Sequence, residues 1–297
     1  MSFALDPARP IPKAVRKAAA KQVRKSVEGL TGQAELGPDE AAHDARKRTK
    51  KVRALLRLAR TELGDGAYRR ENRALRDAAR LLSPVRDAWV LVEALDGLVA
   101  PPDEDLSPEA VAAFRAVLTG EHRELQTGQE RDGALTLAAE AYEQVLARID
   151  RWPLKDHGWA SLDDGVEDTF RRGRQAMNRA RSKGRADEFH EWRKQVKYLR
   201  HQFALLRQVW PGVLEAMEDT ADELGERLGA DHDLAVLRER VKTEQSLAPH
   251  VRKALLRRID TRRKEHQRTA LALGSRLYAE KPAALRQRLG RLWNAAA

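Results

Sequence analysis

The chain has 297 residues, 42% of them hydrophobic and 34% charged, with 56 Lys and Arg against 45 Asp and Glu and a formal net charge of +11. There is no cysteine, which excludes disulfides and thiolate zinc sites, and aromatics are 5%; β-branched runs are missing, so the composition argues for an all-α fold. The excess of positive charge implies a polyanionic partner: nucleic acid, anionic lipid or polyphosphate.

Residues 1–12 read as a flexible lead holding three prolines; they lack an apolar run of signal-peptide length. No stretch of about 18 apolar residues occurs anywhere, so no membrane span is expected. Together with the absence of cysteine this gives a cytoplasmic expectation. Lys13 to Leu30 is periodic, with Lys13, Arg16, Lys17 and Arg24 near one face and Val15, Ala19, Gln22 and Val23 opposite. Residues 31–38 read as a loop, and Pro38-Asp39 opens a helix whose first-turn acids suit the helix dipole.

That helix is expected to reach Leu63 and stop at Gly64-Asp65-Gly66. His43, Arg46, Lys47, Lys50, Arg53 and Arg57 fall on one face at roughly 100° per residue. Val52, Leu55, Leu56, Ala59 and Leu63 fall opposite. A further helix, Tyr68 to about Val99, carries Pro84, which should kink or break it near Leu82-Ser83. Residues 100–107, APPDEDLS, read as a linker, and Ser107-Pro108-Glu109 caps a helix running to about Thr127. Another spans Asp132 to Arg151. Trp152-Pro153 to Ser161 is the boundary between halves, taken as 13–152 and 160–297.

The second half repeats the plan. Leu162 to Arg181 holds Arg171, Arg172, Arg174 and Arg179, read as a second wall of an anion site or, equally simply, as a solvated face. Then comes HEWRKQVKYLRHQFALLR, stopped at Pro211. His190, Arg193, Lys194, Lys197 and Arg200 keep the spacings of the first stripe, each 147 positions on, with Trp192, Val196, Leu199, Phe203 and Leu206 opposite. Helices follow from Gly212 to about Ser246, Pro249 to Tyr278 and Pro282 to Ala295. About four helices per half is the count of a standard bundle, and one long period is a duplication rather than a solenoid.

Like charges three and four apart repel by a few tenths of a kcal/mol per pair. Two stripes at matched register, nearly free of carboxylates and each led by histidine, carry a cost that folding alone does not explain. An 18-residue helix is about 27 Å long, which suits an extended polyanion better than a single phosphate. The motif H-x-x-R-K-x-x-K-x-x-R, present twice in an all-helical chain, resembles that of the conserved-histidine alpha-helical domain (CHAD) family. Ser83-Pro84-Val85-Arg86-Asp87 and Leu228-Gly229-Ala230-Asp231-His232-Asp233 resemble the family's second signature, the first copy departing from its Leu-Gly and His-Asp elements. The resemblance spans most of the chain from about Lys13. It implies two similar helical bundles facing each other across a basic pore that binds inorganic polyphosphate.

The alternatives are weighed on the same residues. His43-Asp44 and His232-Asp233 are formally the kernel of a metal-dependent phosphohydrolase, but cations ring both pairs and no further ligand falls at an obvious spacing. Both stripe histidines read instead as hydrogen-bonding members of the basic wall, cationic at higher pH than a free histidine once a polyanion sits beside them. Nonspecific nucleic-acid binding needs little more than charge, yet Trp192 and Phe203 lie on the apolar face rather than along the groove. A membrane-surface role would need an exposed apolar face beside the basic one. No Walker loop, nucleophile elbow or acidic metal cluster stands beside the stripes, and the acids from Glu215 to Glu226 read as partners for arginines. The expectation is an all-α protein of two pseudo-symmetric bundles facing a central basic cleft. It would bind polyphosphate, associate with polyphosphate granules, and need neither cofactor nor catalysis.

Overall fold

Proline marks most of the helix starts: Pro38, Pro84, Pro108, Pro211, Pro249 and Pro282 each stand first in a helix, where the missing N–H would have had no intrahelical partner. The computed structural model describes residues 3–100, 106–126, 129–155 and 157–297, without the side chains of residues 84–87, 125, 126 and 129–131. Among the described residues there are eleven α-helices and no strand. These are α1 (Ile11–Leu30), α2 (Pro38–Leu58), α3 (Arg60–Leu81), α4 (Pro84–Val99), α5 (Pro108–Gln126), α6 (Gln129–Ile149), α7 (Asp163–Lys183), α8 (Ala186–Leu206), α9 (Pro211–Thr243), α10 (Pro249–Leu277) and α11 (Pro282–Ala296).

Two expectations need adjustment. The first basic helix ends at Leu58, not Leu63; one more helical turn follows, and the backbone then breaks at Gly64, whose φ of 68° is one that L side chains avoid. The lead is anchored: Leu5 is buried and its N–H donates to the Leu205 carbonyl at 2.7 Å, because Phe3 and Leu5 are apolar and find a seat at the end of α8. The segment between the halves is held too, since Trp152 and Leu154 are buried. The Pro84 break falls where expected, with α3 ending at Leu81. Ser107 caps α5 by accepting from the Ala110 N–H at 3.3 Å. Most of the expected 100–107 linker, residues 101–105, lies outside the described residues.

Helices α1, α2, α3 and α6 pack on one another in a ring, and α7, α8, α9 and α10 do the same, with α11 against α7. Between the two sets, α2 packs on α8 and α7. The approach to α7 is close because position 165 is glycine: a Cβ there would come within 2.1 Å of the Leu58 carbonyl oxygen. One contiguous cluster of buried apolar side chains runs through both rings, from Leu5 to Trp293. A second core lies apart. Val92, Leu95 and Leu98 of α4 and Phe114 and Leu118 of α5 pack with Leu234, Leu237 and Val241 of α9 and Val251, Leu255 and Ile259 of α10. So α4 and α5, which belong to the first half of the chain, are seated on helices of the second.

Candidate functional site

The apolar sides of α2 and α8 are fully used by the core: Val52, Leu55 and Leu56 on one, Trp192, Val196, Leu199 and Phe203 on the other, all at 1% exposure or less. Burial of these faces fixes the rotation of both helices, so the cationic faces have no choice but to point away from the core. His43, Lys47, Lys50 and Lys194 are exposed; Arg46, Arg53, Arg57, His190, Arg193, Lys197 and Arg200 are half-buried.

The two stripes meet. Burial pushes the Lys197 ammonium down to about 7, and the charges of Arg193, Lys50 and Arg200 push in the same direction, with Asp233 opposing. His201, one residue beyond the motif, is held to about 3 by burial and by Arg200, Lys51, Lys50 and Lys197 together. Lys51 is lowered as well, first by burial, then by Lys47 and Arg48. Lys50 of α2 is therefore near enough to Lys197 of α8, and Lys50 and Lys51 near enough to His201, for their charges to be felt across the α2–α8 contact. Farther along α2, the Arg57 guanidinium lies 3.7 Å from the Tyr198 ring centroid, and Arg53 lies 5.8 Å from it. Both arginines donate to Asn72 Oδ1 of α3, at 3.0 and 3.2 Å. At the other end, Arg46 donates to the Leu82 carbonyl at 3.0 Å, and with His43 it borders a cavity of about 660 Å³ that Trp89, His122 and Arg123 also line.

Helix α9 backs the α8 stripe. Gly229 lies beneath Arg193: a Cβ there would meet the Arg193 Nε at 3.5 Å, an ordinary contact. Leu228 is core, and Asp231, 1% exposed, accepts from Arg263 Nε at 2.9 Å and Gln267 Nε2 at 2.8 Å, bracing α9 to α10. His190 Nδ1 and His232 Nδ1 stand 3.1 Å apart, with ring centroids 4.1 Å apart. Burial and the neighbouring cations lower both, His232 to about 4. Arg200 pairs with Asp222 at 2.6 Å. The buried Nε atoms of Arg193 and Arg200 have no acceptor among the described residues. This accounts for the Leu228–Asp233 signature. The side chains of Arg86 and Asp87 in its first-half counterpart lie outside the described residues.

The remaining predicted cations make contacts of their own. Arg16 donates to the Trp152 carbonyl at 2.7 Å. Lys17 borders a different hollow, with Phe3, Arg9 and Lys21. Arg171 and Arg172 both pair with Asp168, Arg172 at 2.6 Å; Arg179 pairs with Glu188 at 3.4 Å, beside Lys183; Arg174 points to the Glu280 carbonyl. The residues that sequence reading missed are Lys51, Asn72, Tyr198 and His201. Lys51 and His201 lie beside stripe members, so the only available signal was adjacency. Asn72 comes from another helix and Tyr198 from the flank of the stripe, and neither gave a signal.

Among the described residues, no group of three or more His, Cys, Asp or Glu side chains could hold a metal ion, and no helix is long and apolar enough to cross a membrane. What the packing and the site define is an all-helical protein in which two like-charged helices are pressed together. A family model for the CHAD domain matches residues 14–242, and the chain belongs to that family. Among solved structures, PptA from Streptomyces chartreusis is similar in fold, with a TM-score of 0.65 at 15% identity, covering 92% of this chain and 100% of that one. No curated protein gives a match.

Proposed function

We propose that this chain binds inorganic polyphosphate along the α2 and α8 stripes and carries out no chemistry on it. The observation behind this reading is the approach of the two cationic faces: burial first, and then the charges of Arg193, Lys50 and Arg200, hold the Lys197 ammonium down, and Lys50 and Lys51 of α2 act likewise on His201 of α8. A fold gains nothing from such repulsion unless a dense anion relieves it. Each lysine or arginine offers charge-assisted hydrogen bonds to phosphate oxygens. In this reading the two helix rings are duplicated bundles, the halves run over residues 13–152 and 160–297, and the stripes line a cleft between them. The protein works in the cytoplasm, in association with polyphosphate granules.

Nucleic acid is the second reading, because charge alone supports it. Its phosphates are spaced by sugars and match a dense lysine–arginine wall less well. The test is competition at fixed salt: labelled medium-length polyphosphate bound to the full chain, challenged with single-stranded RNA at equal phosphate concentration. Displacement by RNA as readily as by unlabelled polyphosphate would reject the first reading. Phosphate release from polyphosphate on adding manganese or magnesium would show catalysis and favour the phosphohydrolase reading of the His-Asp pairs.

A further inference from the structure

We propose that anion binding at this site is coupled to proton uptake, and that His232 of α9, with His190 and Lys197 of α8, are the groups that take up the protons. This rests on the polyphosphate reading above. The geometry comes first. Two imidazoles facing each other through Nδ1 at 3.1 Å can share one proton between those atoms but cannot each present an N–H there. The contact therefore describes a pair with at least one neutral ring.

The surroundings keep it so while the site is empty of anion. Around His190 stand Arg193, Lys194, Lys197 and Glu191 of its own helix. Around His232 stand His190, Arg193, Lys197 and, from α10, Arg263, which Asp231 holds in place. Lys197 faces Arg193 and Arg200 on α8, Lys50 on α2 and Asp233 on α9. On α7, Arg179 and Lys183 are engaged with Glu188, near the start of α8. On α4, Glu93 borders the hollow that Asp233 and His266 share. Cations dominate this set, and burial adds to their effect. His232 is held to about 4 and Lys197 to about 7, and His190 lies below the ordinary histidine range.

A chain of phosphates laid against these side chains reverses the sign of the local field. Each group then regains its proton, the shared Nδ1 contact opens, and each new charge is presented to the anion. The cationic wall is thus partly made by its ligand. The bound state holds more protons than the free state, so affinity rises as pH falls, by up to about tenfold per pH unit for each proton taken up. A single orthophosphate, bringing little charge, should recruit few of these protons and gain little from acidity.

The experiment is titration calorimetry of the full chain with medium-length polyphosphate at pH 7, in two buffers of different ionisation heat. The expected result is a difference in apparent heat equivalent to uptake of about one proton or more per site. Because polyphosphate end groups also titrate, the measurement is repeated with dextran sulfate, which carries no titrating group in this range. Lys197→Arg, charged throughout, should remove the uptake seen between pH 7 and 8.5. His190→Gln with His232→Gln should remove the uptake seen below pH 7. If that double variant does not fold, Lys197→Arg and the wild-type buffer comparison decide between them. Equal heats in both buffers with binding retained would overturn the proton coupling and leave the polyphosphate reading standing. Absence of binding to polyphosphate would overturn both.

Discussion

Replacing Arg193, Lys194 and Lys197 together with alanine should separate binding from folding. Arg193 and Lys197 are half-buried and crowd one another, while Lys194 is exposed and shared with Glu191. A well-placed charge-assisted hydrogen bond contributes roughly 1.5–3 kcal/mol. Lys194, screened by water, counts for little. Lys197, only partly charged before binding, counts for less than a full ammonium. The net loss should be about 2–4 kcal/mol, or about 30- to 1,000-fold in affinity. Three fewer neutralised phosphates should also make the slope of log affinity against log salt shallower by about 2, on the scale of −0.7 per charge for a single-stranded polyanion. Stability should not fall far. Trp192, Val196 and Leu199 keep their places in the core, and relief of the repulsion with Lys50 offsets the lost contact of Arg193 over Gly229. The assay is a fluorescence titration of labelled polyphosphate across a tenfold range of salt, paired with thermal melts. Unchanged affinity and slope, or a variant that fails to fold, would refute the reasoning.

For the unmodified chain, engagement of on the order of ten cations predicts a salt slope of about −5 or steeper; a slope nearer −1 to −2 would mean a pocket for a small phosphate. His201, held to about 3, binds its proton far more weakly folded than unfolded, so stability is lost as pH falls below about 6.5, at most about 1.4 kcal/mol per unit. His201→Gln should flatten the decline in urea midpoint between pH 7 and 5, and an unaltered decline would assign it to other groups. Glu71 is fully buried, accepting from Arg148 Nε and Nη2 at 3.0 Å each, with Arg70 Nε at 2.8 Å; Glu71→Ala should cost roughly 1–3 kcal/mol in denaturant unfolding, because it removes the acceptor that two guanidiniums share. Polyphosphate affinity of that variant, measured below its unfolding transition, should not change. At Gly274 a Cβ would lie 2.4 Å from Trp192 and 2.9 Å from Met177, so Gly274→Ala should lower the melting temperature by an amount matching roughly 1–3 kcal/mol of overpacking. An unchanged melt would mean that α10 shifts to make room.

The legible part of this protein was the part governed by periodicity. Two faces of opposite character on α2 and α8 dictated which side chains would be buried, and the prolines dictated where most helices would begin. Pairing between distant elements was not legible. That Arg16 would close on the Trp152 carbonyl, or that Arg171 and Arg172 would be taken up by Asp168, depends on which acceptors the fold brings within reach. The second signature illustrates both sides. Its histidine was visible, but that Gly229 lies beneath Arg193 follows only from α9 lying against α8. The end of α2 was misplaced by about one turn because the glycines at 64 and 66 give a stronger local signal than Ala59, where the helix turns first.

The seating of α4 and α5 on α9 and α10 bears on how the chain comes off the ribosome. Val92, Leu95, Leu98, Phe114 and Leu118 emerge early, yet the side chains that cover them, out to Ile259, are made more than a hundred residues later. Synthesis at about 5–20 residues per second leaves these apolar surfaces uncovered for several seconds or more. The early ring of α1, α2, α3 and α6 can close during that interval, while α4 and α5 have to wait. The nascent chain thus carries a sticky, unfinished arm through nearly half of its translation, and this arm is where chaperones would be needed and where misassembly between neighbouring chains on one message would begin.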